Sequence, residues 1–245
     1  MQTELGRERS GTGRLALMAR LLTGALASVS TPGRAPTVLD CGGGSGAYAV
    51  PLAASGADVT VVDISADALA TLRRRADETG VSASVHAVNG DVERLADHIS
   101  DQFDLVLAHG ILDAVDAVEE TFAAMAGAVR PGGLISVLVA NPFASVMARA
   151  LAGEPALALQ ELRDLDAGVG PGIGPDTVDR LCRAAGLTVE SRHGIGVFSD
   201  LVPGASLDAP GAREALARLD TEAADRPPFA DLAGRIHLLV RRPAS

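Results

Sequence analysis

The sequence predicts an α/β fold in which a mostly parallel, seven-stranded sheet carries helices on both faces. From Pro36 onward, short runs rich in β-branched residues alternate with longer stretches rich in Ala, Leu and Arg, the pattern expected of βαβ units. The first run ends in a glycine-rich turn that leads into a helical stretch. With 245 residues, of which 47% are hydrophobic, the chain is long enough for one sizeable core. We therefore expect a single domain over residues 1–245.

Each predicted strand is a short apolar run bounded by turn residues. The seven strands span residues 37–40, 58–63, 83–88, 103–108, 134–140, 187–197 and 236–241. Helices are predicted over residues 15–29, 45–54, 66–79, 115–129, 142–153 and 177–185. The sequence Arg130-Pro131-Gly132-Gly133 predicts a turn before the fifth strand, and Gly186 is a suitable C-cap for the last helix.

Three segments lie outside this alternation. Residues 1–30 are predicted to form an N-terminal helical cap, whereas residues 36–140 contain the regular βαβ units. The periodicity changes after the fifth strand, so residues 141–174 are predicted to be an insertion that ends in the glycine-rich loop Gly168 to Gly174. Residues 203–230, rich in Pro, Ala and Asp, are predicted to be a second insertion.

The charge of the chain bears on its partners. Its formal net charge is −10, and a field of that sign repels a polyphosphate backbone, so we expect no bulk DNA binding. All 21 basic residues are Arg, the side chain best suited to bidentate contacts with phosphate or carboxylate, so a locally basic groove stays possible. The absence of Trp and the single Tyr48 argue against a broad surface for stacking bases.

The sequence also bears on where in the cell the protein is located. Residues Met1 to Ser10 lack the features of a secretory signal. The apolar stretch Leu15 to Val29 is interrupted by Arg20 and is shorter than the roughly 20 residues that span a bilayer. We therefore expect a cytoplasmic protein that does not bind membranes. Cys41 and Cys182 have no Cys or His at ligand spacing, so no metal site is predicted.

The strongest chemical signal is the stretch Val38 to Gly46, a strand that turns through glycines into a helix. Glycine permits a ligand to approach the backbone closely, and a helix N-terminus presents free N–H groups to an anion. The pattern is ambiguous by itself. Gly42-x-Gly44-x-x-Ala47 also satisfies the fingerprint of NAD-binding proteins, and a glycine-rich turn without a ligand is a further alternative.

Acidic residues follow the second and third predicted strands. Asp63 ends the second strand, where a carboxylate can accept both hydroxyls of a ribose; NAD enzymes share this feature. Its structural alternative is a helix N-cap, a role for which Ser65 is better placed. Asn89-Gly90-Asp91 closes the third strand, and a plain surface turn is its alternative interpretation.

His109 and Asp113 follow the fourth strand, at the carboxyl edge of the sheet where ligands of open α/β folds bind. An imidazole or a carboxylate at this edge can serve as a general base if the bound substrate must lose a proton. We therefore regard both as candidate catalytic residues.

Asp40, followed by Gly42, Gly44 and Gly46 at alternate positions, resembles the acidic-x-Gly-x-Gly-x-Gly signature of class I S-adenosylmethionine-dependent methyltransferases. The resemblance implies a Rossmann-like fold with an antiparallel last strand and S-adenosylmethionine as cofactor. In that family the acidic residue after the third strand meets the adenine amino group, and its neighbour's backbone meets the ring. The implied cofactor-binding residues are Asp40, Gly42, Gly43, Gly44, Asp63, Ile64, Asp91, Val92 and His109.

Further segments resemble the bacterial tRNA 5-carboxymethoxyuridine carboxyl methyltransferase family. They are Ala108 to Val115, Arg130 to Gly133, Ser145 to Gly153, Gly194 to Asp200 and Arg235 to His237. The resemblance implies a modified tRNA wobble uridine as acceptor. The chain departs from the family where a basic residue is replaced by Gly196, an Arg-Tyr pair by Gly234-Arg235, and a Trp by Ala114. These changes remove carboxylate clamps and a stacking ring.

We expect the acceptor to be a carboxylate, oxygen or nitrogen on a tRNA or on a small metabolite. A carboxylate is already ionised at pH 7 and needs only an Arg to place it; Arg149, Arg192 and Arg235 are the candidates. A hydroxyl or amine acceptor would bring in His109 or Asp113 as base. We expect the N-terminal helix and both insertions to cover the site. An NAD-dependent oxidoreductase and a non-catalytic cofactor-binding protein are the alternative functions.

Overall fold

A seven-stranded sheet organises the computed structural model, which describes residues 2–167, 172–202, 207 and 209–244, with side chains from residue 13 onward. Its strands are β1 Thr37–Cys41, β2 Asp58–Asp63, β3 Val85–Asn89, β4 Phe103–His109, β5 Val129–Ala140, β6 Thr188–Ile195 and β7 Arg235–Arg241. The strand order is β3-β2-β1-β4-β5-β7-β6. Strands β1 to β5 pair in parallel, whereas β7 is antiparallel to both neighbours. The predicted sheet with its antiparallel last strand is confirmed.

Helices connect and flank the strands. They are α1 Gln2–Val29, α2 Ala49–Ala54, α3 Ala66–Thr79, α4 Leu95–His98, α5 Val118–Ala128, α6 Pro142–Leu151, α7 Pro155–Asp166, α8 Pro175–Ala184 and α9 Ala212–Ala223. Helices α7 and α9 were not predicted and lie inside the two insertions. Among the described helices, none combines the length and the apolar character needed to cross a membrane.

Local sequence explains the elements that frame the glycine-rich turn. All but the last residue of β4 are buried, as expected for a central parallel strand. Helix α3 buries Leu69, Leu72 and Ala76, one face at helical spacing. It begins where the Ser65 hydroxyl accepts a hydrogen bond from the N–H of Ala68, and it ends at Gly80 with a φ of 75°. The expectation that Ser65 is the N-cap is confirmed.

Several predicted boundaries differ from the structure, and two of them affect the shape of the sheet edge and its turn. Residues 45–48 form turns, so α2 begins only at Ala49. The predicted turn Arg130-Pro131-Gly132-Gly133 is a bulge within β5, because Phe103 pairs with Val129 while Leu105 pairs with Leu134. A bulge of this kind bends a strand and redirects its side chains.

Asp104 joins three strands at the amino edge of the sheet. Its carboxylate accepts two hydrogen bonds from Arg34, at 2.7 and 2.8 Å, and one from Arg130 at 2.7 Å. The backbone N–H of Thr37 donates another at 2.7 Å. Burial by itself would raise the pKa of Asp104, but the hydrogen bonds from Arg34, Thr37 and Arg130 outweigh it and hold the pKa well below its usual range.

The chain divides into two compact units. Unit 1 comprises residues 1–18, 139–175 and 192–237, and unit 2 comprises residues 19–138, 176–191 and 238–245. The glycine-rich turn and the ends of β1, β2 and β4 belong to unit 2. Unit 1 takes in the start of the N-terminal helix and most of both insertions. Part of the predicted glycine loop, residues 168–171, lies outside the described residues.

Candidate cofactor site

The turn after β1 approaches the strands beneath it very closely. The N–H of Gly42 donates to the carbonyl of Val62 at 2.8 Å. A Cβ at Gly43 would collide with the carboxylate of Asp40 and lie 2.9 Å from Val61. Gly44 adopts a φ of 54°, a conformation that favours glycine. The turn therefore requires glycine at Gly43 and favours it at Gly44.

Asp40 lies beneath the turn with 1% of its surface exposed. Among the described residues, its Oδ2 atom has no hydrogen-bond partner. Burial, and then the negative charge of Asp63, raise the pKa of Asp40 to about 7. A cationic ligand at the turn would favour the charged form of this carboxyl group. The site thus contains a buried acid whose charge depends on what binds above it.

Asp63 links the end of β2 to the glycine-rich turn. Its Oδ2 accepts a 2.8 Å hydrogen bond from the N–H of Gly44, and its Oδ1 accepts one of 2.8 Å from the N–H of Ser65. Each oxygen of an ionised carboxylate can accept a second hydrogen bond. The carboxylate is therefore held in place with capacity left for a hydroxyl-bearing ligand.

Asn89 fixes the segment that follows Asp63. Its amide nitrogen donates to the carbonyl of Asp63 at 3.1 Å and to that of Ile64 at 3.0 Å. The Ile64 side chain is 75% exposed, which leaves a flat apolar surface beside the turn. Ile64 is among the residues predicted to bind the cofactor, whereas no role was predicted for Asn89.

Asp91 makes a local hydrogen bond. Its Oδ1 accepts from the N–H of Glu93 at 2.9 Å and caps the short 3₁₀ helix Val92–Arg94. Val92 is buried and Asp91 is partly exposed. The cap is what a structural turn requires, so adenine binding by Asp91 and Val92 stays a prediction.

His109 ends β4 at the carboxyl edge of the sheet. Its Nε2 lies 2.8 Å from Oγ of Ser136 on β5, and its ring meets Tyr48 edge-on with centroids 4.7 Å apart. Burial lowers the pKa of His109 to about 3, so the imidazole is neutral at pH 7. No local pattern in the sequence indicates that Tyr48 or Ser136 lies beside His109, so neither contact was predicted.

The other candidate base, Asp113, is exposed on the segment between β4 and α5. Cys41 and Cys182 are buried and form no disulfide with one another. No group of three or more His, Cys, Asp or Glu side chains within the described part of the chain could hold a metal ion.

The three candidate acceptor arginines lie on separate elements of unit 1. Arg149, on α6, donates to Glu154 at 2.9 Å and to Glu161 at 3.0 Å. Arg192 is exposed on β6, and Arg235 is exposed at the start of β7. Arg149 is therefore already engaged by two carboxylates.

An acidic group that the sequence analysis missed occupies the region after β6. Asp200 accepts a 2.7 Å hydrogen bond from Arg14. A Cβ at Gly234 would collide with the Asp200 carboxylate, and one at Gly196 would lie 3.0 Å from it. Glycine at both positions therefore leaves room for this carboxylate. Arg14 and Asp200 are 186 residues apart, so no sequence pattern could pair them.

Comparison with known proteins identifies the family of this chain and the cofactor that the family uses. Residues 38–133, which contain the turn, Asp63, Asp91 and His109, match the family described as a methyltransferase domain. Over 173 residues, the chain is 30% identical to ubiquinone biosynthesis O-methyltransferase from Methylococcus capsulatus, covering 69% of this chain and 70% of that protein. The chain belongs to the class I S-adenosylmethionine-dependent methyltransferases. Its cofactor is S-adenosylmethionine, and the NAD alternative is set aside.

Other relatives of this methyltransferase differ in their acceptors. The chain is 27% identical over 213 residues to tRNA 5-carboxymethoxyuridine methyltransferase from Escherichia coli K12, covering 85% of this chain and 80% of that protein. Its fold is similar to that of geranyl diphosphate C-methyltransferase from Streptomyces coelicolor, with a TM-score of 0.59, 16% identity, and coverage of 93% of this chain and 76% of that one. The relatives therefore identify the reaction class but not one acceptor.

The residues of the methyltransferase turn fit S-adenosylmethionine. Gly43 is required because a Cβ there would collide with the Asp40 carboxylate beneath the turn, and the buried Oδ2 of that carboxyl lacks a hydrogen-bond partner in the described chain. A cofactor with a sulfonium and an ammonium group supplies positive charge near such a carboxyl, and its ribose supplies two hydroxyls for Asp63.

Proposed function

We propose that this methyltransferase transfers the methyl group of S-adenosylmethionine to a small molecule and not to tRNA. The observation that supports the proposal is that Arg149 already forms two ion pairs. This guanidinium, a candidate clamp for an anionic acceptor, is shared by the carboxylates of Glu154 and Glu161. Two acids and one arginine leave this group with a net negative charge at pH 7.

The net charge of the whole chain also argues against a tRNA acceptor. A tRNA acceptor brings a polyphosphate backbone, and the formal net charge of the chain is −10 without a single lysine. Phosphate contacts supply most of the affinity of nucleic-acid complexes. Exposed ion pairs are individually weak, about 0–1 kcal/mol, so an anion could displace one of the glutamates from Arg149. An anionic acceptor would meet a net positive charge at Arg149 only after both glutamates had been displaced. The group therefore favours a neutral or cationic acceptor over an anionic one.

We further propose how unit 2 holds the cofactor. The backbone of the turn at Gly42 to Gly44 would carry the amino-acid portion, Asp63 the ribose hydroxyls, and Asp91 with the Val92 backbone the adenine. Bound S-adenosylmethionine supplies an electrophilic methyl group that the acceptor displaces in line. Each of these residues binds and orients, and positioning can account for much of the rate of such a transfer.

His109 acts in this proposal as a positioning residue. With a pKa of about 3, its imidazole is neutral at pH 7 and too weakly basic to remove a proton efficiently. The contact between its Nε2 and Ser136 fixes the ring. A base, if the acceptor needs one, would be the exposed Asp113 or a group of the acceptor itself.

The second candidate function is methylation of a modified tRNA wobble uridine. The observation that favours it is the E. coli relative, which is aligned over more of this chain than the O-methyltransferase is. In this alternative Arg192 and Arg235, both exposed, would face the anionic nucleotide.

The two functions are separated by one labelling experiment. The purified protein is incubated with S-adenosylmethionine labelled in its methyl group and with either of two acceptor fractions. One is total tRNA from a bacterial strain without its own 5-carboxymethoxyuridine methyltransferase; the other is a nucleic-acid-free filtrate of the source organism. We expect label in the filtrate and none in the tRNA, and the Asp63→Ala variant as control should label neither. Label in tRNA, or in neither fraction with the unmodified protein, contradicts the proposal.

A further inference from the structure

Unit 1 contains a cleft that the cofactor site does not use. It lies among the start of α1, the segment that follows β6, and α9, and it encloses about 350 Å³ including its open mouth. One wall is apolar and the other is polar. The apolar residues are Leu207, Leu216 and Ala217, and the polar residues are Ser199, Arg213 and Asp220. Much of this volume is open to solvent, so the enclosed part suits a small polar group while the rest of a ligand would lie in the open mouth.

Asp220 is the most buried charge of this cleft, with 7% of its surface exposed. Its Oδ1 accepts hydrogen bonds from the N–H groups of Phe198 at 2.7 Å and Ser199 at 3.3 Å. Both of these hydrogen bonds reach the same carboxylate oxygen and come from neutral backbone groups. An ionised carboxylate at this depth is stabilised by further donors.

Ser199 adds a second polar atom. Its Oγ is buried and has no hydrogen-bond partner among the described residues. A buried hydroxyl without a partner costs about 1–3 kcal/mol, so such groups are normally satisfied. Ser199 and Asp220 both line the cleft, and one bound group that donates several hydrogen bonds could satisfy both.

The surroundings of the cleft are acidic. Burial raises the pKa of the nearby Asp200; Arg14 opposes this effect, and the negative charge of Asp220 adds to it. The two carboxylates therefore repel each other, while Arg14 is bonded to Asp200 at 2.7 Å. The charge of Asp220 is left to attract a cation. Arg213 has interactions of its own, and it is the residue of the cleft that would attract an anion instead.

We propose that this cleft binds a small molecule through a protonated primary amine, which donates to Asp220 and Ser199 while its aliphatic part packs on Leu207, Leu216 and Ala217. An ammonium group has three hydrogen-bond donors and a positive charge that would pair with the carboxylate of Asp220. If this ligand is also the methyl acceptor, that conclusion rests on the proposed function. The existence of the amine site does not depend on it.

The test compares three probes of equal length on the full-length protein labelled with ¹⁵N. Hexylamine, hexanol and hexanoate are titrated separately, and the amide resonances of Ser199, Leu216 and Ala217 are followed by NMR. We expect hexylamine to bind about tenfold more tightly than hexanol, the difference between a charge-assisted and a neutral hydrogen bond, and hexanoate to leave these resonances in place. Equal affinities for the amine and the alcohol, or tighter binding of hexanoate through Arg213, would overturn the proposal.

Two matched variants show whether the cleft is the site. Ala217→Leu fills it from the apolar wall, whereas Ala215→Leu makes the same change on the exposed side of α9. We expect Ala217→Leu to abolish the hexylamine shifts and Ala215→Leu to keep them; the same response in both variants contradicts the assignment. These variants keep the test valid if Asp220→Asn, which also disturbs two backbone hydrogen bonds, fails to fold.

The outcome is distinguishable from that of the labelling experiment. Hexylamine binding in the cleft together with methylation of tRNA would refute the small-molecule acceptor and leave the amine site standing. Methylation of a small molecule by a protein that does not bind hexylamine would support the small-molecule acceptor and refute the amine site.

Discussion

The carboxylate of Asp63 accepts a 2.8 Å hydrogen bond from the backbone N–H of Gly44. This bond joins the end of β2 to the turn after β1, the two places where a nucleotide-like cofactor meets a doubly wound sheet. Asp63 also accepts from Ser65, so its orientation is fixed before any ligand arrives. A carboxylate fixed in this way loses little conformational entropy on binding.

Replacing Asp63 with Ala should weaken S-adenosylhomocysteine binding by about 1.5–3 kcal/mol, the scale for hydrogen bonds to a charged group. The loss should appear in the dissociation constant measured by calorimetry. Asp58→Ala is the matched control, because Asp58 begins the same strand at the opposite edge of the sheet. Unchanged affinity in the Asp63 variant, or an equal loss in both variants, would remove Asp63 from the site.

Asp91→Ala separates a ligand contact from a structural cap. Loss of the cap on Glu93 N–H should cost about 0.5–1 kcal/mol of stability, whereas loss of an adenine contact should cost about 1.5–3 kcal/mol of binding. We expect affinity for S-adenosylhomocysteine to fall more than the thermal stability of the free protein. If thermal unfolding shows a loss at least as large as the loss in binding, Asp91 is a structural residue only. Asp97→Ala, on the exposed Arg94 ion pair, is the control.

Asp104→Ala should destabilise the fold by about 2–3 kcal/mol, because buried donors of Thr37 and its neighbours lose their acceptor. The pKa of Asp104 is lowered in the folded protein, so its stabilising effect is present above the unfolded pKa of about 4 and is lost as the pH falls below it. Urea unfolding at neutral and acidic pH measures both effects. The exposed Asp101→Ala should change neither, and a variant of Asp104 as stable as wild type would disprove the role of this cluster.

Asp40 should make the free protein less stable as the pH rises from about 4 to 7. Its folded pKa of about 7 lies above the unfolded value of about 3.9, so the folded state holds the proton through this window and stability declines across it. Asp40→Asn cannot titrate. The melting temperature of Asp40→Asn relative to wild type should therefore increase between pH 5 and pH 8. A constant difference over that range would show that Asp40 is not perturbed.

The sequence was sufficient to predict the sheet from β1 to β4 and the glycine-rich turn. Their signals are local: a run of apolar residues, an adjacent glycine and an acid at the strand end occupy consecutive positions. The bounds of β2 and α3 were predicted correctly because Asp58 and Ser65 mark their starts and Gly80 marks the end of α3. The turn before α2 was harder, since Ser45 to Tyr48 have no residue that excludes a helix apart from Gly46.

Most of what surrounds the site could not be predicted. Ser136 is an ordinary residue of a buried strand until β4 and β5 pair and bring it to His109. Asp200 meets Arg14 and Gly234 only after distant segments gather in unit 1. Helix α7 was not predicted, although its Pro155 suits the first turn of a helix.

The glycine-rich turn and Asp63 are proposed to form the cofactor site. Titration of ¹⁵N-labelled protein with S-adenosylhomocysteine, followed at the amides of Gly42, Gly44 and Ser65, tests it most directly. We predict that these three resonances shift and saturate at one equivalent, that the Asp63→Ala variant shows no shift at the same concentration, and that NAD has no effect. Saturable binding that leaves all three amides unchanged, or equal shifts with NAD, would contradict the account.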